Sequence, residues 1–113
     1  MIKFLEENYG VNYPWAKYDQ LWATDFIWGG MENTSCTVIT ADRGLGNKKS
    51  LIDIDFPEMV VEHELAHQWF GDLIVVKHWS NLWIKEGAAT YSETMWKEYA
   101  YGKEEAEIGR AHV

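Results

Sequence analysis

The chain has 113 residues, 47% hydrophobic and 25% charged, an ordinary make-up for one globular domain large enough to bury a core. Its 18 acidic and 10 basic residues give a formal charge of −8, which argues against nucleic acid or an anionic membrane as a partner, because both demand a basic surface. No apolar run approaches the roughly 20 residues of a membrane span, and Met1–Gly10, with Glu6 and Glu7, has no signal-peptide core, so a cytoplasmic setting is the default expectation.

Ile2 to Asn8 has the composition of the end of a helix, stopped near Gly10 and by Pro14. From Leu21 to Trp28 the aromatics and Ile27 suit a strand, which Gly29-Gly30 interrupts. Thr37 to Thr40 is a second β-branched run, so a sheet edge or hairpin-like pair is expected around residues 29 to 36. Cys36, the one cysteine, reads as a small buried side chain in that strand and excludes an intrachain disulfide. Asp42 to Ser50, with Gly44, Gly46 and Asn47, reads as a flexible polar loop. A helix is expected from Phe56-Pro57 through Phe70, stopped at Gly71, followed by an extended run over Leu73 to Val76. A second long helix starts near Ser80 or Asn81 and runs to about Tyr99. Gly102 ends it, and Lys103 to Ala111 forms another. Seven tryptophans are many for this length; they suit a core, with some facing a neighbouring domain or another copy.

The stretch that carries chemistry is His63-Glu64-Leu65-Ala66-His67. Four helical residues turn by about 400°, so the two imidazoles lie one turn apart on nearly the same face and can hold one zinc ion. Glu64 projects to the side of the first imidazole. Zinc lowers the pKa of a bound water to near 7, and this carboxylate can take its proton. A catalytic zinc needs a third protein ligand, and Glu86 in Trp83-Ile84-Lys85-Glu86-Gly87 is the best candidate. The eighteen residues 68–85 suffice for one helix to end and another to return. The pattern reads as a hydrolase site.

Gly29-Gly30-Met31-Glu32-Asn33, the His63–His67 motif and Trp83–Gly87 together resemble the aminopeptidase N family of zinc exopeptidases, which are gluzincins. The resemblance runs from about Gly10 to about Tyr99. Thermolysin-type endopeptidases lack the Gly-Met-Glu-Asn segment, and metzincins would show a third histidine soon after His67, where this chain has Asp72 and Leu73. The resemblance implies an α+β fold, part of a thermolysin-like zincin domain with a small β-sheet packed against the metal-ligand helices. It implies that His63, His67 and Glu86 hold zinc, that Glu64 activates the water, and that Gly29, Gly30, Met31, Glu32 and Asn33 bind the substrate. Glu32 would pair with the α-ammonium of peptides with a free N-terminus. Glu93, seven residues after Glu86, is either a support for a ligand histidine or a solvated ion-pair partner.

The chain departs from the family's pattern at Lys85, where asparagine is usual and a cation now stands beside the site, and at Ala88, where an aromatic is common. The oxyanion-stabilising tyrosine of the family would fall beyond Val113, and Tyr91, Tyr99 and Tyr101 read as packing residues. By this resemblance residues 1–113 are part of a catalytic domain, without the family's N-terminal β-domain and C-terminal helical domain. Three readings follow: an aminopeptidase core, a zinc-binding fragment with little turnover, or an endopeptidase. Self-association through exposed apolar faces is expected of such a piece.

Overall fold

The computed structural model describes residues 1–41 and 55–111, with backbone alone at 55, 56 and 108–111. The expected polar loop at 42–50 lies outside the described residues. Helix α1 (Ile2–Tyr9) ends at Gly10, whose φ of 70° is the left-handed closure that suits glycine. Three strands follow: β1 (Asp19–Ala23), β2 (Gly30–Met31) and β3 (Cys36–Thr40). The remaining elements are α2 (Asp55–Ala66), a short 3₁₀ turn (Trp79–Asn81), α3 (Leu82–Tyr101) and α4 (Lys103–Ala111). Helices and a small mixed sheet make this an α+β fold.

The sheet order is β1-β3-β2, with β1 parallel and β2 antiparallel to β3. The expected pair around residues 29–36 is the β2–β3 hairpin, in which Gly30 faces Ile39 and Met31 faces Val38. The strand expected at 21–28 is displaced: β1 begins at Asp19 and stops at Ala23, the partner of Thr40. Asp25 then turns the chain with φ at 57°. Composition alone favoured residues 24–28, but they have no partner strand among the described residues, and Ile27 and Trp28 stand 87% and 64% exposed. Cys36 does lie in a strand, but half-buried rather than buried.

The core lies where α1 meets α2 and α3. Phe4, Leu5, Leu65, Ala66, Trp69 and Ala89 are its buried members. Full burial of a large apolar side chain contributes about 1.5–3 kcal/mol. Phe4 meets Trp96 edge-on at 5.3 Å and Tyr99 at 4.8 Å, while Tyr9 meets Trp69 at 5.5 Å. Trp69 Nε1 donates to the Val11 carbonyl at 2.9 Å, and Trp96 Nε1 donates to Glu58 at 2.7 Å, joining α3 to α2. Tyr99 touches Phe4 and Trp96 with its ring yet is 70% exposed, and Tyr91 is 62% exposed, so neither is the buried packing residue expected.

Helix α2 ends earlier than its apolar pattern suggests. After Ala66 the chain tightens through i−3 bonds, Gln68 N–H to Leu65 and Trp69 N–H to Ala66, at 3.0 and 3.1 Å. Asp72 N–H then reaches back to the His67 carbonyl at 3.0 Å, and Gly71 passes with φ at 139°. The expected extended run reduces to one bridge between Phe70 and Ile74. Helices α3 and α4 match their expected spans closely.

Candidate metal centre

His63 lies in the last turn of α2, and His67 one turn on, its N–H still bonded to the His63 carbonyl at 3.2 Å. That turn brings the two Nε2 atoms to 3.1 Å from each other. Glu86, in the second turn of α3, places Oε2 at 3.3 Å from both. Each Nδ1 is engaged elsewhere: His63 Nδ1 with Glu93 Oε1 at 2.6 Å, and His67 Nδ1 with the Phe70 carbonyl at 2.8 Å. With both rings donating through Nδ1, two unprotonated Nε2 lone pairs and a carboxylate oxygen converge with no hydrogen between them. A cation resolves that arrangement. Ligand atoms of a tetrahedral divalent ion with bonds of about 2.0–2.1 Å stand about 3.3 Å apart, which is the spacing found here. These three residues fit a metal ion.

A second set, Glu32, Glu64 and His67, also brings three possible ligand atoms together. It fits less well, because the Glu32 carboxylate is already taken by the Lys85 ammonium in an ion pair. Burial of Glu32 would raise its pKa, but the Lys85 hydrogen bond and positive charge outweigh that and hold the group low.

Glu64 is buried against β2. A Cβ on Gly30 would lie 2.5 Å from Glu64 Oε1 and 2.7 Å from its Cγ, so only glycine leaves room for this carboxylate. Burial pushes the Glu64 carboxyl up to about 7, with Glu32 and Glu86 adding to the effect and His63 and Lys85 opposing it. For the histidines burial favours the neutral ring. In His67 it prevails and the pKa is lowered; in His63 the Glu93 hydrogen bond and charge overcome it and the pKa is raised. A cleft of about 410 Å³ opens beside His63 and Glu64, lined also by Trp28, Gly29, Gly30 and Met59.

The residues 29–33 expected to bind substrate follow one path along the site. Gly29 accepts from Thr40 N–H at 3.1 Å, Gly30 and Met31 form β2, Glu32 is buried, and Asn33 is exposed at the turn into β3. Since β2 is the edge of the three-stranded sheet, one side of its backbone has no strand partner among the described residues.

The sequence reading overlooked two residues. Gln68, fully buried beside His67, accepts from Ser35 N–H at 2.7 Å and donates to the Glu32 and Asn33 carbonyls at 3.4 Å. It ties the 32–35 turn to the end of α2. Glu62 is also fully buried, and neither of its oxygens has a hydrogen-bond partner among the described residues. The available signals were a carboxylate, Glu62, following the apolar run Met59-Val60-Val61 in α2, and a polar amide, Gln68, between His67 and Trp69 just beyond its end.

Compared with known proteins, residues 1–112 match the model of the peptidase family M1 domain. Aminopeptidase N of Mus musculus is 35% identical over 108 residues, covering 88% of this chain and 11% of that protein. Aminopeptidase N of Streptomyces lividans is 35% identical over 99 residues, covering 88% of this chain and 12% of its own length. Aminopeptidase 2 of Candida albicans is 39% identical over 97 residues, covering 80% and 10%. The chain thus spans about a tenth of the length of the curated relatives it matches.

Proposed function

The chain belongs to the peptidase M1 family, and we propose that it carries the metal centre of a zinc aminopeptidase, removing the first residue from peptides with a free amino terminus. The observation that carries this reading is the meeting of His63 Nε2, His67 Nε2 and Glu86 Oε2 within 3.3 Å of one another. Two imidazole nitrogens and one carboxylate form a donor set that zinc accepts in catalytic sites while keeping a further position open. When bound, zinc supplies a Lewis acid and a water acidic enough to lose a proton near neutral pH.

The chain's own residues supply the rest. Glu64, with its carboxyl raised to about 7, is matched to taking a proton near neutral pH and returning it to the leaving amine. Glu32 holds the substrate's α-ammonium. A carboxylate at a set distance from the metal measures where the peptide begins and limits cutting to one residue. The edge of β2 offers backbone groups to an extended peptide, and Gly30 leaves room beside that strand for the Glu64 carboxylate. The named relatives support this substrate class, since each is an aminopeptidase.

The test compares an aminoacyl chromogenic substrate with its N-acetylated form, each with zinc and with a chelator. Cleavage of the free-amine form alone, and only with zinc, is expected. Equal cleavage of both forms would identify an endopeptidase instead.

A further inference from the structure

We propose that Lys85 is a tethered ammonium occupying the seat that Glu32 offers to a substrate's amino group, so that it competes with substrate and sets how strongly a free amino terminus binds. This rests on the reading of Glu32 given above. The Lys85 side chain leaves the first turn of α3, just before Glu86, and its Nζ meets Glu32 Oε1 in an ion pair. The two side chains are only 23% and 9% exposed, so solvent screens their attraction weakly.

The approach of Lys85 to Glu32 is shaped by the backbone. A Cβ on Gly71 would lie 3.1 Å from Lys85 Cε and 3.2 Å from its Cδ and Cγ. The aliphatic stem therefore runs in contact with the Gly71 backbone, at a φ of 139° where a side chain is rarely found. Gly71 opens a corridor and Lys85 fills it with its head on Glu32.

A lysine head and a peptide's α-ammonium are chemically alike, each a primary ammonium with three donors. Two such cations on one buried carboxylate repel each other, so a bound amino terminus requires Lys85 to withdraw. The neighbourhood holds an alternative acceptor: Asp72 follows Gly71, its Oδ2 is buried without a hydrogen-bond partner among the described residues, and its charge acts on Lys85. Lys85 thus has three carboxylates within its electrostatic reach, Glu32, Glu86 and Asp72, the first of them wanted by substrate. It is a specificity-setting residue, acting by occupancy of the amine seat.

The experiment is an NMR titration of the full chain, with and without zinc, using L-leucinol, a small α-amine with no bond to cleave. The amides of Met31, Glu32 and Asn33 report binding. Lys85→Met removes the charge while keeping most of the stem, and should bind leucinol about tenfold or more tightly than the parent, the size of one displaced charge-assisted contact. Lys85→Arg keeps the charge and should stay near the parent affinity. Lys85→Gln carries the same test if the methionine variant does not fold. Equal or weaker binding by the neutral variants, with Glu32→Gln still abolishing it, would overturn the proposal and leave the amine seat standing. Binding indifferent to Glu32→Gln would overturn both.

Discussion

Glu93 Oε1 lies 2.6 Å from His63 Nδ1, so a carboxylate two turns along the helix that bears Glu86 sets which nitrogen of His63 faces His67 and Glu86. Of the two roles open to Glu93 in the sequence, the contact with His63 is the one the fold presents. A charged acceptor on Nδ1 keeps the proton there, leaves Nε2 as a lone-pair donor, and makes the ring more basic. Glu93→Gln should weaken zinc binding by about 10- to 100-fold, as losses of such supporting contacts generally do. A chelator-competition titration measures this, and unchanged affinity would sink the assignment.

In the proposed mechanism Glu64 moves a proton and is not one of the three converging ligand residues His63, His67 and Glu86. Glu64→Gln should therefore retain stoichiometric zinc while losing about 10²- to 10⁴-fold in kcat, the usual contribution of a general base. Metal content and initial rates are the two readings. Loss of the metal together with the activity would show that this carboxylate is needed to hold the ion.

Gln68 secures the turn that carries Glu32. Replacing it with alanine leaves the Ser35 N–H and the Glu32 and Asn33 carbonyls without their amide partner. A loss of about 1–3 kcal/mol in unfolding free energy is expected from groups left unsatisfied in a buried setting. Denaturant titration checks the magnitude. Because the same turn positions Glu32, KM for a free-amine substrate should rise more than kcat falls.

Glu62 should make folding pH-dependent. Burial pushes its carboxyl up to about 8, with Glu93 and Glu58 adding and the amino terminus opposing. The folded pKa thus exceeds the unfolded one, and the folded protein holds a proton that the unfolded chain has released. The contribution to stability is complete below the unfolded value of 4.5 and is lost as pH rises towards about 8. Between those limits the slope attributable to this group is on the order of 1 kcal/mol per pH unit. Glu62→Gln should flatten the fall in Tm between pH 6 and pH 8. Parallel melting curves for parent and variant would show that Glu62 does not control the slope.

Local chemistry was already legible in the chain. A four-residue step places His63 and His67 on one side of a helix whatever the helix packs against, because helical pitch is a backbone property. Gly10 and Gly102 marked the ends of α1 and α3 for a similar reason, since each sits at a positive φ that other residues rarely adopt. What the sequence left open depended on partners distant along the chain. The length of β1 followed from its pairing with β3 rather than from its own aromatics, and Glu93 had two equal roles until α3 was laid beside α2. The roles of Gln68 and Glu62 stayed unread because a buried polar side chain has meaning only through what surrounds it. The Lys85–Glu32 pair joins residues 53 positions apart, and its route depends on a gap at Gly71 that only tertiary packing creates. Periodicity and capping act over a few residues, whereas occupancy of a buried carboxylate is decided by whichever cation the finished fold brings to it.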